Sequence, residues 1–283
     1  MNWPAVKPDR ARLAAHLAAL TLLSACGSQV AFTPGDGPPG GRTSGGRALP
    51  PDAVPRDEPR SRYGNGPYYR VNGSTYRVLE TSYGYRERGV ASWYGRKFHG
   101  RPTSSQERYD MYEMTAAHKT LPLPTYVRVR NLKNNRTVVV RVNDRGPFID
   151  NRLIDLSYAA AVKLDLIRDG TGLVEVTAIS FDEPPEVDEP ILAETAEDAS
   201  AGQEPGATIF VQVGAFGEAE NARRRYAELR QGGISQAFVM EDMSASPTLY
   251  RVRIGPIADV VQYDSIVEEL QRLGITDTHL VTE

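Results

Sequence analysis

Apolar and polar residues alternate differently in the two halves of the chain. Between residues 69 and 179 the apolar runs are short, have the two-residue period of half-buried strands and are separated by turn residues. Asn72-Gly73 lies between two such runs and predicts a β-hairpin. One short helix is predicted from Ser157, its N-cap, to Leu164. Many short strands with one small helix predict a compact β-barrel.

After residue 207 the pattern becomes strand-helix-strand-strand-helix-strand. Helices are predicted over 219–231 and 260–273, where apolar residues recur every three or four positions. Strands are predicted over 208–214, 237–240, 250–254 and 278–281. A four-stranded sheet of this kind carries both helices on one face and leaves the other face free for binding. The fold class is therefore mainly β followed by α+β.

The first 26 residues have the pattern of a bacterial lipoprotein signal peptide. Three basic residues precede an apolar segment, Leu13 to Leu22, that is too short to span a bilayer. The segment runs into Leu-Ser-Ala-Cys26, which resembles a lipobox, and Cys26 is the only cysteine of the chain. We expect lipid attachment at Cys26 and a cell-envelope location. By resemblance, Gly27 after the cysteine favours the inner leaflet of the outer membrane, facing the periplasm.

Two stretches have the composition of linkers. Residues 27–62 are rich in Pro, Gly and Ser and predict a flexible tether, while 182–206 carry nine acidic residues and no basic one and predict an acidic spacer. Both are expected to be disordered. The expected organisation is a signal peptide (1–26), tether (27–62), hairpin extension (63–87), barrel (88–181), acidic linker (182–206) and C-terminal domain (207–283).

The charge distribution narrows the choice of partner. Residues 60–150 contain 17 Lys/Arg against 7 Asp/Glu, although the whole chain has a formal net charge of -3. A basic stretch favours an anionic or polar polymer. Nucleic acid would also fit this charge, but the export signal argues against it.

Three titratable residues of the barrel are candidates for chemistry. Asp144 ends a strongly apolar strand and precedes a turn, which would place a carboxyl group where a strand meets a cleft, a position suited to acid/base chemistry. The alternative is an Asx-turn. His118, expected to be exposed, would orient or polarise the acid, or else bond to backbone at a helix end. Glu107 lies in a polar loop, where a solvated surface charge is the alternative.

Five blocks of the barrel resemble the rare lipoprotein A (RlpA) family of septal lytic transglycosylases. They occupy residues 89–95, 98–103, 107–111, 115–122 and 142–148, the last followed by Ile-Asp-Leu-Ser at 154–157. The resemblance implies a six-stranded double-psi β-barrel. One departure is visible, because Ser105-Gln106 precedes Glu107 where the family usually has Asn-Gly.

The resemblance also implies a reaction and a set of residues. The bond between N-acetylmuramic acid and N-acetylglucosamine of peptidoglycan would be cleaved by attack of the sugar's own 6-hydroxyl, leaving a 1,6-anhydro end. Asp144 would be the acid/base, with His118 and Glu107 in its environment. Trp93, Tyr94 and Arg145 are expected to bind substrate, although one of two adjacent aromatic residues in a strand usually faces the core.

No cofactor and no metal are expected. His99 could complete a metal set with His118 and Asp144, but their spacing matches no tight ligand motif.

The C-terminal unit resembles the SPOR domain, an RNP-like βαββαβ fold that binds glycan strands stripped of their peptide stems. Gln212 on the first strand and Arg251 and Arg253 on the third are expected to share the open sheet face and to bond sugar hydroxyl and N-acetyl groups. The alternative is solvated polar positions on a half-exposed sheet. RNA binding would need aromatic stacking platforms, for which Phe210 alone is poor.

The expected partner is therefore denuded peptidoglycan at the division septum, with divisome proteins as further candidates. Two other functions stay open. One is a non-catalytic, expansin-like glycan-binding lipoprotein built on the same barrel, and the other is a purely structural septal lipoprotein.

Overall fold

The structure is a computed structural model that describes residues 48–181 and 207–283. The predicted signal peptide with Cys26, residues 27–47 of the predicted tether and the acidic segment 182–206 lie outside the described residues.

The predicted hairpin is confirmed. Strands β1 (Tyr68–Val71) and β2 (Ser74–Arg77) pair antiparallel on either side of the turn. Asn72 and Gly73 have φ angles of 50° and 84°. Two successive left-handed residues form the turn whose twist matches that of a hairpin, and Asn and Gly tolerate this conformation best.

Six further strands close into a barrel, as the resemblance implied. Their order around the barrel is β3-β7-β4-β6-β5-β8, with parallel pairs β3–β7 and β4–β6. Alternate residues of each strand fill the interior; Val127 and Val129 of β5 and Val140 and Val142 of β6 are fully buried. The strands are β3 (Arg86–Trp93), β4 (Thr115–His118), β5 (Thr125–Asn131), β6 (Thr137–Asp144), β7 (Ile154–Leu156) and β8 (Gly172–Ile179).

One short helix, α1 (Tyr158–Lys163), packs three buried alanines against the barrel. Ser157 caps it as predicted, because its Oγ accepts the Ala160 N–H at 3.2 Å. The same hydroxyl donates to the carbonyl of Glu113 at 2.6 Å. A short 3₁₀ turn, Arg96–Phe98, follows β3.

The C-terminal domain has the predicted βαββαβ order. Its four strands form an antiparallel sheet in the order β10-β11-β9-β12, and buried Val211, Leu229, Val252 and Leu270 belong to its core. The elements are β9 (Ile209–Phe216), α2 (Ala219–Gln231), β10 (Ala237–Asp242), β11 (Leu249–Ile254), α3 (Val260–Arg272) and β12 (His279–Thr282). No helix within residues 48–181 and 207–283 combines the length and the apolar character needed to cross a membrane.

The C-terminal end of the predicted tether is fixed to the barrel. The Asp52 carboxylate binds the Lys163 ammonium at 2.6 Å and the Val139 N–H at 2.9 Å. Glu58 binds Arg141 at 2.7 Å. We call residues 48–62 the strap. The expectation of a flexible tether does not hold for this part, because isolated polar contacts, backbone hydrogen bonds and the packing of Ala53 against the barrel core fix it. Such contacts leave no hydrophobic period in the sequence.

The barrel and the C-terminal domain also touch. The two terminal guanidinium nitrogens of Arg152 each donate to one oxygen of the Asp264 carboxylate of α3 at 3.2 Å. Val90, Leu132 and Leu173 of the barrel belong to the same buried cluster as the core of the C-terminal domain.

Candidate active site

Asp144, the last residue of β6, has one carboxylate oxygen held in place. Its Oδ1 accepts three hydrogen bonds of 2.7 Å, from the N–H and the hydroxyl of Ser104 and from the N–H of Arg145. Within the described parts of the chain its Oδ2 has no hydrogen-bond partner. The side chain is partly exposed. Asp144 is thus a fixed carboxyl group with one oxygen available to a ligand.

A second carboxyl lies in the same row of the barrel. Ala117 of β4 is the lateral neighbour of both Asp144 on β6 and Asp155 on β7. The pairing of β4 with β6 has a register shift between Ala116 and Ala117, so pairing alone does not assign the faces here. The Asp144 charge nevertheless acts on Asp155, after burial, to raise its pKa, which indicates that the two acids lie near each other beside Ala117. Burial raises the pKa of Asp155, while the hydroxyl of Ser92, which donates to it, acts in the opposite direction.

Asp155 was missed as a site residue by the sequence reasoning. It lies in the block 154–157, which carried the resemblance without any role being assigned to it. The signal was present, because Ile154 and Leu156 are apolar neighbours that alternate with it, and both are fully buried. Alternation therefore places the Asp155 side chain on the other face of β7.

Stacked tyrosines form a buried cluster with Ala117. The rings of Tyr94 and Tyr109 are stacked with centroids 4.0 Å apart, and the Tyr109 hydroxyl donates to the Tyr94 carbonyl at 2.6 Å. Tyr94 is only 8% exposed, so its ring has no free face for a sugar. Of the predicted aromatic pair, Tyr94 is the structural member. Trp93 is half-buried against Tyr158, at 5.8 Å between ring centroids, and its substrate role stays a prediction.

His118 is buried, so the expectation of an exposed histidine is wrong. It is 2% exposed, because alternation along β4 turns it away from the face of Ala117. Its Nδ1 accepts the N–H groups of Thr120 (3.2 Å) and Leu121 (3.1 Å). Nε2, which must then carry the proton, lies 2.8 Å from the Tyr85 hydroxyl.

The environment of His118 determines what it can do. Burial lowers its pKa to about 3, so the ring is neutral at ordinary pH. No hydrogen bond joins it to Asp144 in the described structure. His118 therefore shapes the turn 118–121 and is a positioning residue, while a direct part in proton transfer is not supported.

Glu107 ties its loop to β6. Its Oε2 accepts from Arg141 at 2.7 Å and from Asn143 at 2.8 Å. Burial acts to raise the pKa of Glu107, but these hydrogen bonds outweigh burial and lower it. The opposite side of Arg141 is held by Glu58 of the strap at 2.7 Å. Glu107 is thus an ionised group that positions the loop carrying Ser104, the residue that fixes Asp144.

The departure from the family pattern has a visible consequence. Gln106 has a φ angle of 70°, the left-handed conformation that glycine adopts freely. For a residue with a Cβ this conformation costs roughly 1–2 kcal/mol. The loop still closes, because the Thr103 N–H donates to the Glu107 carbonyl at 2.8 Å.

Arg145 is not available to a substrate, contrary to the sequence expectation. It is 9% exposed, and its guanidinium donates to the Gly64 carbonyl at 2.9 Å, the Asn65 side chain at 3.2 Å and the Leu121 carbonyl at 2.5 Å. These acceptors lie far away in sequence, so local reasoning could not find them. Only its backbone N–H reaches Asp144.

Residues 48–181 and 207–283 contain no group of three or more His, Cys, Asp or Glu side chains placed to hold a metal ion. His99 instead accepts the Met111 N–H at 3.2 Å and lies 3.5 Å from Asp110.

The predicted glycan-binding residues of the C-terminal domain are partly brought together. Arg253 donates to Gln212 at 3.2 Å and also pairs with Glu283. Arg251 instead pairs with Asp242 at 2.7 Å. A bulge between Val252 and Arg253 shifts the pairing with β9. The expected row of three free polar groups is therefore replaced by contacts within the domain, and Arg253 is buried.

The fold and the site define a class: a double-psi β-barrel with a fixed carboxyl at a strand end, followed by a SPOR domain. Residues 86–176 match the family described as lytic transglycolase, and residues 205–279 match the SPOR domain. The chain belongs to the RlpA family of endolytic peptidoglycan transglycosylases.

Three relatives, each named endolytic peptidoglycan transglycosylase RlpA, support this membership. The Vibrio cholerae protein is 38% identical, with 82% of each chain covered. The Pseudomonas aeruginosa protein is 35% identical over 82% of this chain and 80% of its own. The Neisseria meningitidis protein is 40% identical over 73% and 80%. Membership favours an enzyme over the expansin-like and structural alternatives.

The left-handed conformation of Gln106 predicts that glycine stabilises the protein more than alanine at this position, the reverse of the usual order in a helix. We expect Gln106→Gly to be more stable than Gln106→Ala by about 1 kcal/mol, because only glycine avoids the cost of the left-handed conformation. At the exposed position Glu268, inside helix α3, the order should reverse, with alanine more stable by about 1 kcal/mol. Urea unfolding of the soluble chain from residue 27 measures both pairs. Alanine more stable than glycine at position 106 would contradict the strain.

The buried neutral His118 predicts a pH dependence of stability. The unfolded chain binds a proton at His118 below about pH 6.5, whereas the folded chain does so only near 3. Stability from this group is therefore complete above pH 6.5 and is lost as the pH falls toward 3. We expect His118→Asn, whose Oδ1 can replace Nδ1 as acceptor, to flatten the decline between pH 6.5 and 4.5 in urea unfolding. His99→Asn, at an exposed position, is the control and should keep the wild-type slope; an unchanged slope in His118→Asn would refute the assignment.

Proposed function

We propose that this peptidoglycan transglycosylase uses Asp144 to cleave the bond between N-acetylmuramic acid and N-acetylglucosamine and leaves 1,6-anhydro ends. The observation that carries the proposal is the asymmetry of the Asp144 carboxyl. Three donors hold Oδ1, while Oδ2 has no hydrogen bond to described residues. A group that must give and take one proton needs this combination of a fixed position and an open oxygen.

The proposed reaction needs only this one acid/base. Protonated Asp144 gives its proton from Oδ2 to the glycosidic oxygen as the bond from the anomeric carbon to that oxygen breaks. The 6-hydroxyl oxygen of the muramic acid residue then bonds to the anomeric carbon, and its proton passes to Asp144. No water is consumed, and Asp144 ends the cycle protonated. A second nucleophilic carboxylate, as in retaining hydrolases, is unnecessary.

The neighbours of Asp144 support this role. The buried stack of Tyr94 and Tyr109 excludes water beneath the row of acids and lowers the local dielectric, which strengthens the electrostatic interactions of the site. Asp155, whose pKa is raised by burial, adds a second carboxyl group in the same row. Glu107 and His118 hold the two loops between which the carboxyl lies.

The SPOR domain would direct the enzyme to strands without peptide stems, and thereby to the division septum. Joining a binding domain to a catalytic domain raises the effective concentration of substrate without any new contact at the active site. We further propose lipid attachment at Cys26 and placement at the outer membrane, with divisome proteins as candidate partners. The N-terminal pattern supports this anchoring.

Asp144→Asn is the direct test. Asparagine keeps the Oδ1 acceptor but cannot donate the carboxyl proton, so product formation should fall at least about 100-fold. The soluble chain from residue 27 is incubated with amidase-treated sacculi, and 1,6-anhydro products are measured by mass spectrometry. Asp150→Asn, at an exposed acid after the same turn, is the matched control and should retain activity.

Two outcomes would count against the proposal. Absence of anhydro products with the wild-type protein would refute the proposed reaction. Formation of these products by Asp144→Asn at the wild-type rate would refute the role of Asp144 but not the reaction.

A further inference from the structure

One guanidinium group joins the strap to the loop that fixes Asp144. Arg141 lies on β6, the strand that ends at Asp144, and only 18% of its side chain is exposed. On one side its Nε and Nη2 donate to the two carboxylate oxygens of Glu58 at 3.1 and 2.7 Å. On the other side its Nη1 donates to Glu107 at 2.7 Å. The cation therefore lies between two carboxylates that belong to distant parts of the chain.

The contact with Glu58 fixes the direction of the guanidinium group. A carboxylate that accepts two parallel N–H groups of an arginine holds the plane of the fork as well as its position. Glu58 occupies the edge formed by Nε and Nη2, and this directs Nη1 toward Glu107. Without Glu58 the long side chain of Arg141 would regain rotamer freedom, which is large for arginine.

Glu58 is itself held in place by the barrel. The hydroxyl of Tyr126, on β5, donates to its Oε1. The hydrogen bond from Arg141 lowers the pKa of Glu58, so the carboxylate is charged at neutral pH. Glu58 is thus a fixed anion and an effective partner for the guanidinium group.

The backbone of the strap is bonded to the barrel on both sides of Glu58. Before it, the Ala53 N–H donates to the Val139 carbonyl at 3.1 Å. After it, the Ser61 N–H donates to the Leu123 carbonyl at 2.8 Å. These bonds keep Glu58 beside β6 and limit the entropy that its contacts must overcome.

Glu107 connects this arrangement to Asp144. Its carbonyl accepts the Thr103 N–H at 2.8 Å and so closes the loop that contains Ser104. The N–H and the hydroxyl of Ser104 both donate to Oδ1 of Asp144 at 2.7 Å. A displacement of Glu107 would therefore displace the groups that fix the carboxyl.

Resting on the proposed function, we infer that Glu58 of the strap is a positioning residue that acts on Asp144. The path runs through Arg141, Glu107 and the loop of Ser104. The functional barrel domain thus begins at the strap, although the match to the lytic transglycolase family begins at residue 86.

Glu58→Ala tests this path by kinetics on stem-free glycan oligosaccharides, with the soluble chain from residue 27. Loss of the carboxylate loosens the loop, and small displacements of a reacting group are costly, so kcat should fall about tenfold. KM should stay unchanged, because no contact with the substrate is removed. Glu58→Gln, which keeps an acceptor oxygen but not the charge, should lose less. The assay is run where urea unfolding shows every variant to be folded.

A double variant separates positioning from general destabilisation. In Glu107→Ala the path is already interrupted, so adding Glu58→Ala should lower kcat further by less than about twofold. If Glu58→Ala lowers kcat by the same factor in both backgrounds, Glu58 acts by another route and the inference is wrong.

Asp52→Asn is the matched control from the same strap. The described hydrogen bonds of Asp52 go to Val139 and Lys163, and not to Arg141 or Glu107. This variant should lose stability and keep the wild-type kcat. A fall in kcat equal to that of Glu58→Ala would show that the strap acts only through overall stability, which would overturn the inference.

Amide hydrogen exchange gives the same comparison without turnover. The Ser104 N–H is protected by its bond to Asp144, so Glu58→Ala should speed its exchange about tenfold, whereas Asp52→Asn should not. Unchanged exchange at Ser104 in Glu58→Ala would contradict the path. A wild-type protein that forms no anhydro product, but whose Ser104 N–H responds to Glu58→Ala, would refute the proposed reaction and leave the positioning of Asp144 by Glu58 standing.

Discussion

The buried guanidinium of Arg145 is the interaction on which the rest of the site depends. Placing this cation in the interior costs several kcal/mol unless its donors are satisfied, and backbone carbonyls at Gly64, His118 and Leu121 together with the Asn65 side chain satisfy them. A cation held by neutral acceptors from two separate segments ties those segments together. The end of β6, the turn after β4 and the entry to the hairpin are therefore fixed relative to one another at one point.

The hydrogen bonds of the buried Arg145 guanidinium also fix the position of Asp144. It precedes Arg145 and accepts the Arg145 N–H, so its backbone cannot shift without disturbing the buried cation. The remaining freedom, rotation of the carboxyl, is removed by Ser104, whose loop is held to β6 through Glu107. The candidate residues divide accordingly. Asp144 is the acid that faces the ligand. His118, Glu107 and Arg145 hold it in position, and their polar atoms form hydrogen bonds within the chain.

Regular periodicity is what the sequence encodes most directly, and the strands and helices that bury an apolar face were predictable from it. The hairpin turn at Asn72-Gly73 and the cap at Ser157 were predictable because their chemistry is local. The strap and the partners of Arg145 were not, because each depends on a side chain meeting a group that lies between 24 and 111 residues away in sequence. For the candidate site, sequence and resemblance located Asp144 but not Asp155. Burial decided the roles of two other predicted residues, because the buried His118 is a neutral support and the buried Tyr94 has no free ring face for a sugar.

Net charge is a poor guide to where an anionic polymer would bind this protein. Residues 60–150 hold a large excess of Lys and Arg, but several of these cations neutralise internal carboxylates; Arg86, Arg88 and Arg130 all converge on Glu175. One carboxylate cannot balance three guanidinium groups, so this cluster keeps a positive excess on the barrel. The three arginines differ in exposure, since 56% of the Arg86 side chain is exposed against 23% for Arg88 and 33% for Arg130. Where an anionic polymer could bind is therefore decided by which of these guanidinium groups folding leaves at the surface, because a ligand can contact only an exposed cation.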